Sequence, residues 1–211
     1  MTWTELDDAI VVVPVGSCEQ HGPHLPIRTD TTVAVAFAND LAARRDDCVV
    51  APALAVTASG EHAGFPGTLS IGTDVMASVI IELARSADWA RGVVFVNGHG
   101  GNATAMTRAA EEFGRERRNV LIWWPRIDGC DPHAGHTETS LMLKIAPADV
   151  RLDRRTPGPI PELDELVRRG VRAVSPNGVL GDPTSATAEA GDDIFRLAAD
   201  QLARAVDDWT A

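Results

Sequence analysis

Residues 11–30 read VVVPVGSCEQHGPHLPIRTD, and the parsing of this stretch decides the fold. An apolar, β-branched run, Ile10–Val15, stops at Gly16-Ser17, as a buried strand does when it ends in a turn. Glu19, His21, His24 and Asp30 follow within the next fourteen positions. Side chains at i and i+2 of an extended segment lie on one face, so Glu19 and His21 reach a common point beyond the strand while Cys18 turns away and packs as a thiol. A carboxylate beside an imidazole suits zinc, manganese or iron(II), and a carboxylate can bridge two such ions.

Outward from this stretch, Thr31–Arg45 has apolar residues at Val33, Phe37, Ala38 and Leu41 and a basic pair at its end, which predicts a helix. Asp30 then falls at the N-cap, a place aspartate favours, and a cap at a strand's carboxyl edge also presents an oxygen to metal. Cys48–Ala58 reads as a second buried strand leading into a loop shaped by Gly and Pro, Ser59–Ile71, with Glu61 and His62 at its apex. Function concentrates in such loops, which makes His62 a candidate for lining a pocket. Asp74–Trp89 predicts a helix, Gly92–Asn97 a third strand, and Ala103–Arg117 a helix begun by Asn102. Between the last two, NGHGGN carries His99; with neither GxGxxG nor a GKS/T ending, it does not read as a phosphate loop.

Asn119–Trp124 predicts a fourth strand, whose Trp123 and Trp124 suit core, interface or pocket. The next loop delivers His133, His136 and Glu138 ahead of a helix over Thr139–Ile145. Glu138 near that N-terminus also favours the helix dipole, by about 0.3–1 kcal/mol. Pro147–Gly170 carries little chemistry beyond a short helix over Glu162–Arg169; Ser175–Thr187 reads as a long ordered loop, and Ser185–Trp209 as an amphipathic helix. Strands alternating with helices predict a mostly parallel sheet covered on both faces, whose site lies beyond the carboxyl ends of the strands. Glu19 with His21, the Glu61 loop and His99 all fall on that edge.

With 211 residues, 45 % hydrophobic and 23 % charged, the chain can bury a core as one domain, 1–211. No apolar run is long enough to span a bilayer, and the opening MTWTELDDAIVVV lacks the basic segment of a signal peptide, so a cytoplasmic protein is expected. A net charge of −11 repels phosphate backbones and argues against nucleic acid as partner. Three cysteines, an odd number without CxxC spacing, fit reduced thiols.

Four blocks, GSCEQHGPHLPIRTD (Gly16–Asp30), GEHAGFPGTLSIGT (Gly60–Thr73), VFVNGHGGN (Val94–Asn102) and DPHAGHTETSLML (Asp131–Leu143), together resemble the creatininase family of metal-dependent amidohydrolases. With GVLGDPTSAT (Gly178–Thr187), the match is finer, to the branch that trims the modified ribosomal peptide of the mycofactocin system. The resemblance implies a three-layer α/β/α sandwich with a mostly parallel central sheet. It also implies a homo-oligomer, a hexamer or octamer.

Carried over residue by residue, the resemblance gives Glu19, His21, Asp30, His99 and Glu138 as ligands of two divalent ions (zinc, iron(II) or manganese), with Asp30 bridging. It places His133 in proton transfer, beside Glu138 in the catalytic set. Glu61, His62, His136 and Trp124 are expected to face substrate, and His24 to support the ligands from behind. Creatininase itself has a glutamate ligand where this chain has Gly101, so that duty is expected to pass to Glu138 and the corner to widen for a larger substrate. A peptide end fits that expectation, and cleavage near the C-terminus of the precursor peptide is implied. Hydrolysis of a small cyclic amide or formamide, and a metal-stabilised scaffold without turnover, are the competing readings.

Overall fold

The computed structural model describes residues 2–6 and 8–211. Four strands, β1 (Ile10–Val15), β2 (Cys48–Val50), β3 (Gly92–Asn97) and β4 (Val120–Trp123), form a fully parallel sheet in the order β2-β1-β3-β4. Ile10 pairs with both Cys48 and Gly92, and Val93 with Val120. Strands covered on both faces need apolar side chains on both, which is why β1 and β3 read as continuous apolar runs.

The period of two divides those side chains between two layers. Ile10, Val12, Val94 and Val96 pack against Phe37 and Leu41 of α1 (Thr29–Arg44), Met142 of α4 (His136–Ile145) and Leu202 of α7 (Ala188–Thr210). Val13, Val15, Val93 and Phe95 pack against Ile80 of α2 (Thr73–Ser86) and Met106 and Phe113 of α3 (Ala103–Glu116). Each such fully buried side chain contributes roughly 1.5–3 kcal/mol. A three-layer α/β/α sandwich results, as expected. The chain leaves β1 through α1 in one layer and β3 through α3 in the other, so the strand order reverses between β1 and β3. Their carboxyl ends flank the crevice where ligands bind in open α/β sheets.

Three expectations are corrected. The second strand does not run to Ala58: ladder pairing stops at Val50, and where regular spacing after the Ala51 N bond to Val12 O would bring Ala53 to Pro14 O, Leu54 donates there instead at 2.9 Å, so one residue is bulged out. Asp30 is not a cap but lies in the first turn of α1, buried, and accepts a hydrogen bond from Ser17 Oγ at 2.8 Å. Likewise α4 begins at His136, three residues early, because the Asp131 carboxylate accepts from the backbone N–H groups of His136 and Thr137. Asn102 precedes α3 as expected without capping it. Its side chain donates to Gly16 O and Asn97 Oδ1, both at 3.1 Å, and accepts from Ala58 N at 3.2 Å, joining three strand-end loops.

Past α4, α5 (Leu163–Arg169) and α6 (Val171–Val174) are separated at Gly170, whose φ of 73° breaks the helix. No helix among the described residues is long and apolar enough to cross a membrane.

Candidate metal centre

Beyond β1 the backbone stays extended, and Glu19 and His21 both turn inward to complete burial. Cys18 faces the other way, half-buried, with Sγ 3.4 Å from Gly67 O. Asp30 reaches the same point from α1 and stands between two imidazoles, Oδ1 being 2.9 Å from His21 Nε2 and Oδ2 3.0 Å from His99 Nδ1. His99 comes from the turn after β3, and its Nε2 is 3.1 Å from Glu19 Oε2. Glu138, in the first turn of α4, lies 3.7 Å from His21 Nε2 and accepts from Ala134 N at 2.6 Å. The sheet edge thus brings together all five expected ligands, drawn from four segments of the chain.

Charge in this cluster is heavily perturbed. Burial pushes the Glu19 carboxyl up to about 8, the neighbouring Asp30 charge adding to it and His99 opposing. Burial likewise raises Glu138 to about 7. For His21 burial favours the neutral ring, yet Asp30 outweighs it and holds the imidazole up to about 10. His99 is raised well above its ordinary range because Glu19 and Asp30 overcome burial in the same way. Asp30 itself is held well below the usual carboxylate range, its burial outweighed by His21 and His99. Among the described residues no Lys or Arg pairs with these carboxylates; imidazoles alone answer them.

One observation tests whether metal fits. Both oxygens of the buried Glu19 carboxylate lack any hydrogen-bond donor. A buried carboxylate that accepts no hydrogen bond is costly to ionise, which is why burial drives it toward the neutral form, and a cation is the natural answer to it. Four groups of donor atoms, each within 4.8 Å of one another, surround it: Glu19, His21 and Asp30; His21, His133 and Glu138; Glu19, Glu61 and His99; and Glu19, His62 and His133. Mixed carboxylate and imidazole sets of this kind fit divalent zinc, manganese or iron.

The other expected residues divide. His133 is buried, and its Nε2 donates to Gln20 O at 2.8 Å, leaving the lone pair on Nδ1, 3.7 Å from Glu19 Oε1. Burial holds His133 well below its ordinary value, so the ring is neutral. An antiparallel bridge to Leu180 pins it, which gives the ordered loop 175–187 a task at the site. His62 is not at an exposed apex: the turn Gly60–His62 folds inward, and His62 Nε2 lies 3.3 Å from Glu19 Oε1. The Gln20 amide donates to His62 Nδ1 at 2.9 Å, and burial lowers that ring to about 4.

His24 bonds Thr139 Oγ1 at 2.9 Å behind the cluster. His136 is not brought in; it turns to Ser185 Oγ at 3.1 Å because α4 starts one turn early and rotates it outward. Trp123 packs edge-on against Phe37 in the core, while Trp124 lines a cavity of about 400 Å³ shared with Asp30, His99 and Glu138. A larger cavity of about 770 Å³ opens over Glu19, Glu61, His62 and His133, walled on its outer side by Leu166–Arg172.

Gly101 does not leave the expected open corner. A Cβ there would lie 1.9 Å from Glu61 Oε1, so the Glu61 carboxylate already occupies that space. The sequence reading also missed Gln20 and Ser17. Both sit within the opening motif, but nothing in their residue type separates a positioning amide or hydroxyl from a solvated one.

A parallel α/β sandwich whose switch-point crevice gathers carboxylates and imidazoles, one carboxylate accepting no hydrogen bond, has an architecture suited to metal-assisted hydrolysis. The chain belongs to the creatininase family, whose model, described as creatinine amidohydrolase, matches residues 1–206. It is therefore a hydrolase of amide-type carbon–nitrogen bonds. The mycofactocin precursor peptide peptidase of Mycobacterium tuberculosis is 50 % identical over 214 residues, covering 94 % of this chain and 85 % of that one. Among solved structures, a tryptophan-to-alanine mutant of creatininase superposes with a TM-score of 0.86 at 26 % identity, covering 100 % and 97 % of the two chains. A manganese form of creatininase gives 0.81 at 25 %, covering 99 % and 96 %.

Proposed function

We propose that this protein is a metal-dependent peptidase that cleaves the modified mycofactocin precursor near its C-terminus and releases the two-residue core. The observation that carries the metal part is Glu19, a buried carboxylate with no donor on either oxygen. Likeness to the mycobacterial peptidase supports the substrate, and the cavity of about 770 Å³ has room for a peptide end.

In this reading Glu19, His21, Asp30, His99 and Glu138 would hold two divalent ions, zinc, iron(II) or manganese. Bound there, the ions would lower the pKa of water and polarise the scissile carbonyl. The chain's own residues do the rest. Ser17 Oγ holds the Asp30 carboxylate from behind, and Ala134 N fixes Glu138. Gln20 sets the proton inventory: its carbonyl keeps a proton on His133 Nε2, so Nδ1 faces the crevice as the acceptor. His133 takes a proton at Nδ1 and returns it to the leaving amine. His62 stays neutral beside it and, with Trp124, lines the space for substrate. The same reading makes the protein a cytoplasmic homo-oligomer.

Mass spectrometry of the modified precursor incubated with metal-loaded protein tests this directly. A discrete C-terminal fragment, absent with Glu138→Ala, is expected. An intact peptide across zinc, manganese and iron(II), with turnover of a small cyclic amide or formamide instead, would sink the peptide assignment.

A further inference from the structure

Among the carboxylates at the crevice, Glu61 has no part in the ligand set above. Its Oε1 lies 3.3 Å from His99 Nε2, and Glu19 Oε2 approaches the same nitrogen at 3.1 Å. Donor atoms sharing one ion at about 2.0–2.2 Å stand about 3.0–3.4 Å apart along a coordination edge. His99 Nε2 stands at that spacing from both Glu19 and Glu61, the three donor atoms lie within 4.8 Å of one another, and neither Glu19 oxygen accepts a hydrogen bond.

We propose that Glu61 is a metal ligand, completing with Glu19 and His99 the coordination of one of the two ions, and that Gly101 is glycine in order to admit it. The inference rests on the metal reading above. A Cβ at position 101 would fall 1.9 Å from Glu61 Oε1, 2.4 Å from His99 Nε2 and 2.7 Å from Ala58 O. No left-handed φ is recorded at Gly101, so space and not backbone conformation demands the glycine. Glu61 is also placed rather than loose. His62 N donates to Ser59 O and Ala63 N to Gly60 O, both at 3.1 Å, and Asn102 Oδ1 holds Ala58 N, tying the stem of this turn to the His99 loop. On the other side Gly170 lies against the Glu61 carbonyl, its Cβ position being 3.2 Å away. A turn whose backbone is held on both sides, with the Glu61 carboxylate 3.3 Å from a ligand nitrogen, is built for coordination more than for a mobile substrate.

Manganese titration of the chelator-stripped protein, with metal content after gel filtration, tests the assignment apart from activity. Wild type should take up two ions per chain. Glu61→Gln should keep one and bind the other at least about tenfold more weakly, since even residues that only support a ligand are worth that much. Should Glu61→Gln hold both ions at wild-type affinity and only raise KM, Glu61 faces substrate and the inference is overturned. Wild type binding no ion at all overturns the metal reading and this inference together.

Discussion

The two edges of the sheet handle charge in opposite ways. At the amino edge Asp47 is answered by Arg45 and Arg91, and Arg118 bonds Glu116 and Asp88, so each of these charges meets its opposite within the chain. These pairs are partly exposed and each contributes little. Along the carboxyl edge Glu19, Asp30, Glu61 and Glu138 converge with only imidazoles between them, and Glu19 is left without a donor. Those pairs at the first edge are electrically complete as folded; at the other, a bound cation would complete the carboxylates. The contrast separates charges that hold the fold from charges that wait for a ligand.

Stripping metal should therefore strike one edge alone. Chelation is expected to abolish turnover and to lower the melting temperature. At a hundredfold excess over Kd, bound metal would add about 2.7 kcal/mol, and re-addition should restore it. A stripped protein that melts and turns over as before would remove the distinction between the edges.

Next in size, His133→Ala should reduce the rate about 10²–10⁴-fold while metal content stays at the wild-type level. Equal loss of metal and rate would make His133 a ligand, enlarging the waiting set by one.

Opposite pH signatures sharpen the comparison further. Glu19 has an ordinary value of 4.5 and is raised to about 8 in the fold, so its favourable contribution is full below pH 4.5 and lost as pH rises through 8. His21, held up to about 10 against an ordinary 6.5, pulls the same way. Asp47 is lowered from 3.8 to about 2, so its contribution is present above pH 3.8 and lost as pH falls through 2. The stripped chain should then lose melting temperature between pH 5 and pH 8, and Glu19→Gln should flatten that slope; equal slopes in the two proteins would remove Glu19 as the cause.

Asp47→Asn, the smallest effect, should cost less than about 1 kcal/mol at neutral pH and leave metal uptake untouched. Thermal melts with and without manganese measure both halves of that statement.

Much of this was legible in the sequence, for a physical reason. β1 and β3 are buried on both faces, so their apolar runs mark their limits, and Glu19, His21, His99 and Glu138 sit in short motifs beside strand ends or a helix start. Periodicity reports local geometry. It placed Asp30 next to the helix start but could not tell a capping carboxylate from one turned inward, a choice that depends on Ser17 and His21 in three dimensions. The Gln20 amide meets His62 and Gly178, 42 and 158 positions away, and Glu61 fills the space of Gly101 from another loop. Such meetings leave no periodic trace.

Asn102 bears on how this protein can be redesigned. Because one amide ties the ends of β1 and β3 to the stem at Ala58, three loops at the carboxyl edge share a single anchor. Residues 63–69 have an anchor of their own on the ligand-bearing segment, Leu69 N donating to Cys18 O at 2.8 Å and Gln20 N to Thr68 Oγ1 at 3.1 Å, so a redesign of this turn has to keep both bonds. Any library that varies Ala58, Asn97 or Asn102 disturbs three loops at once and is best kept out of the design.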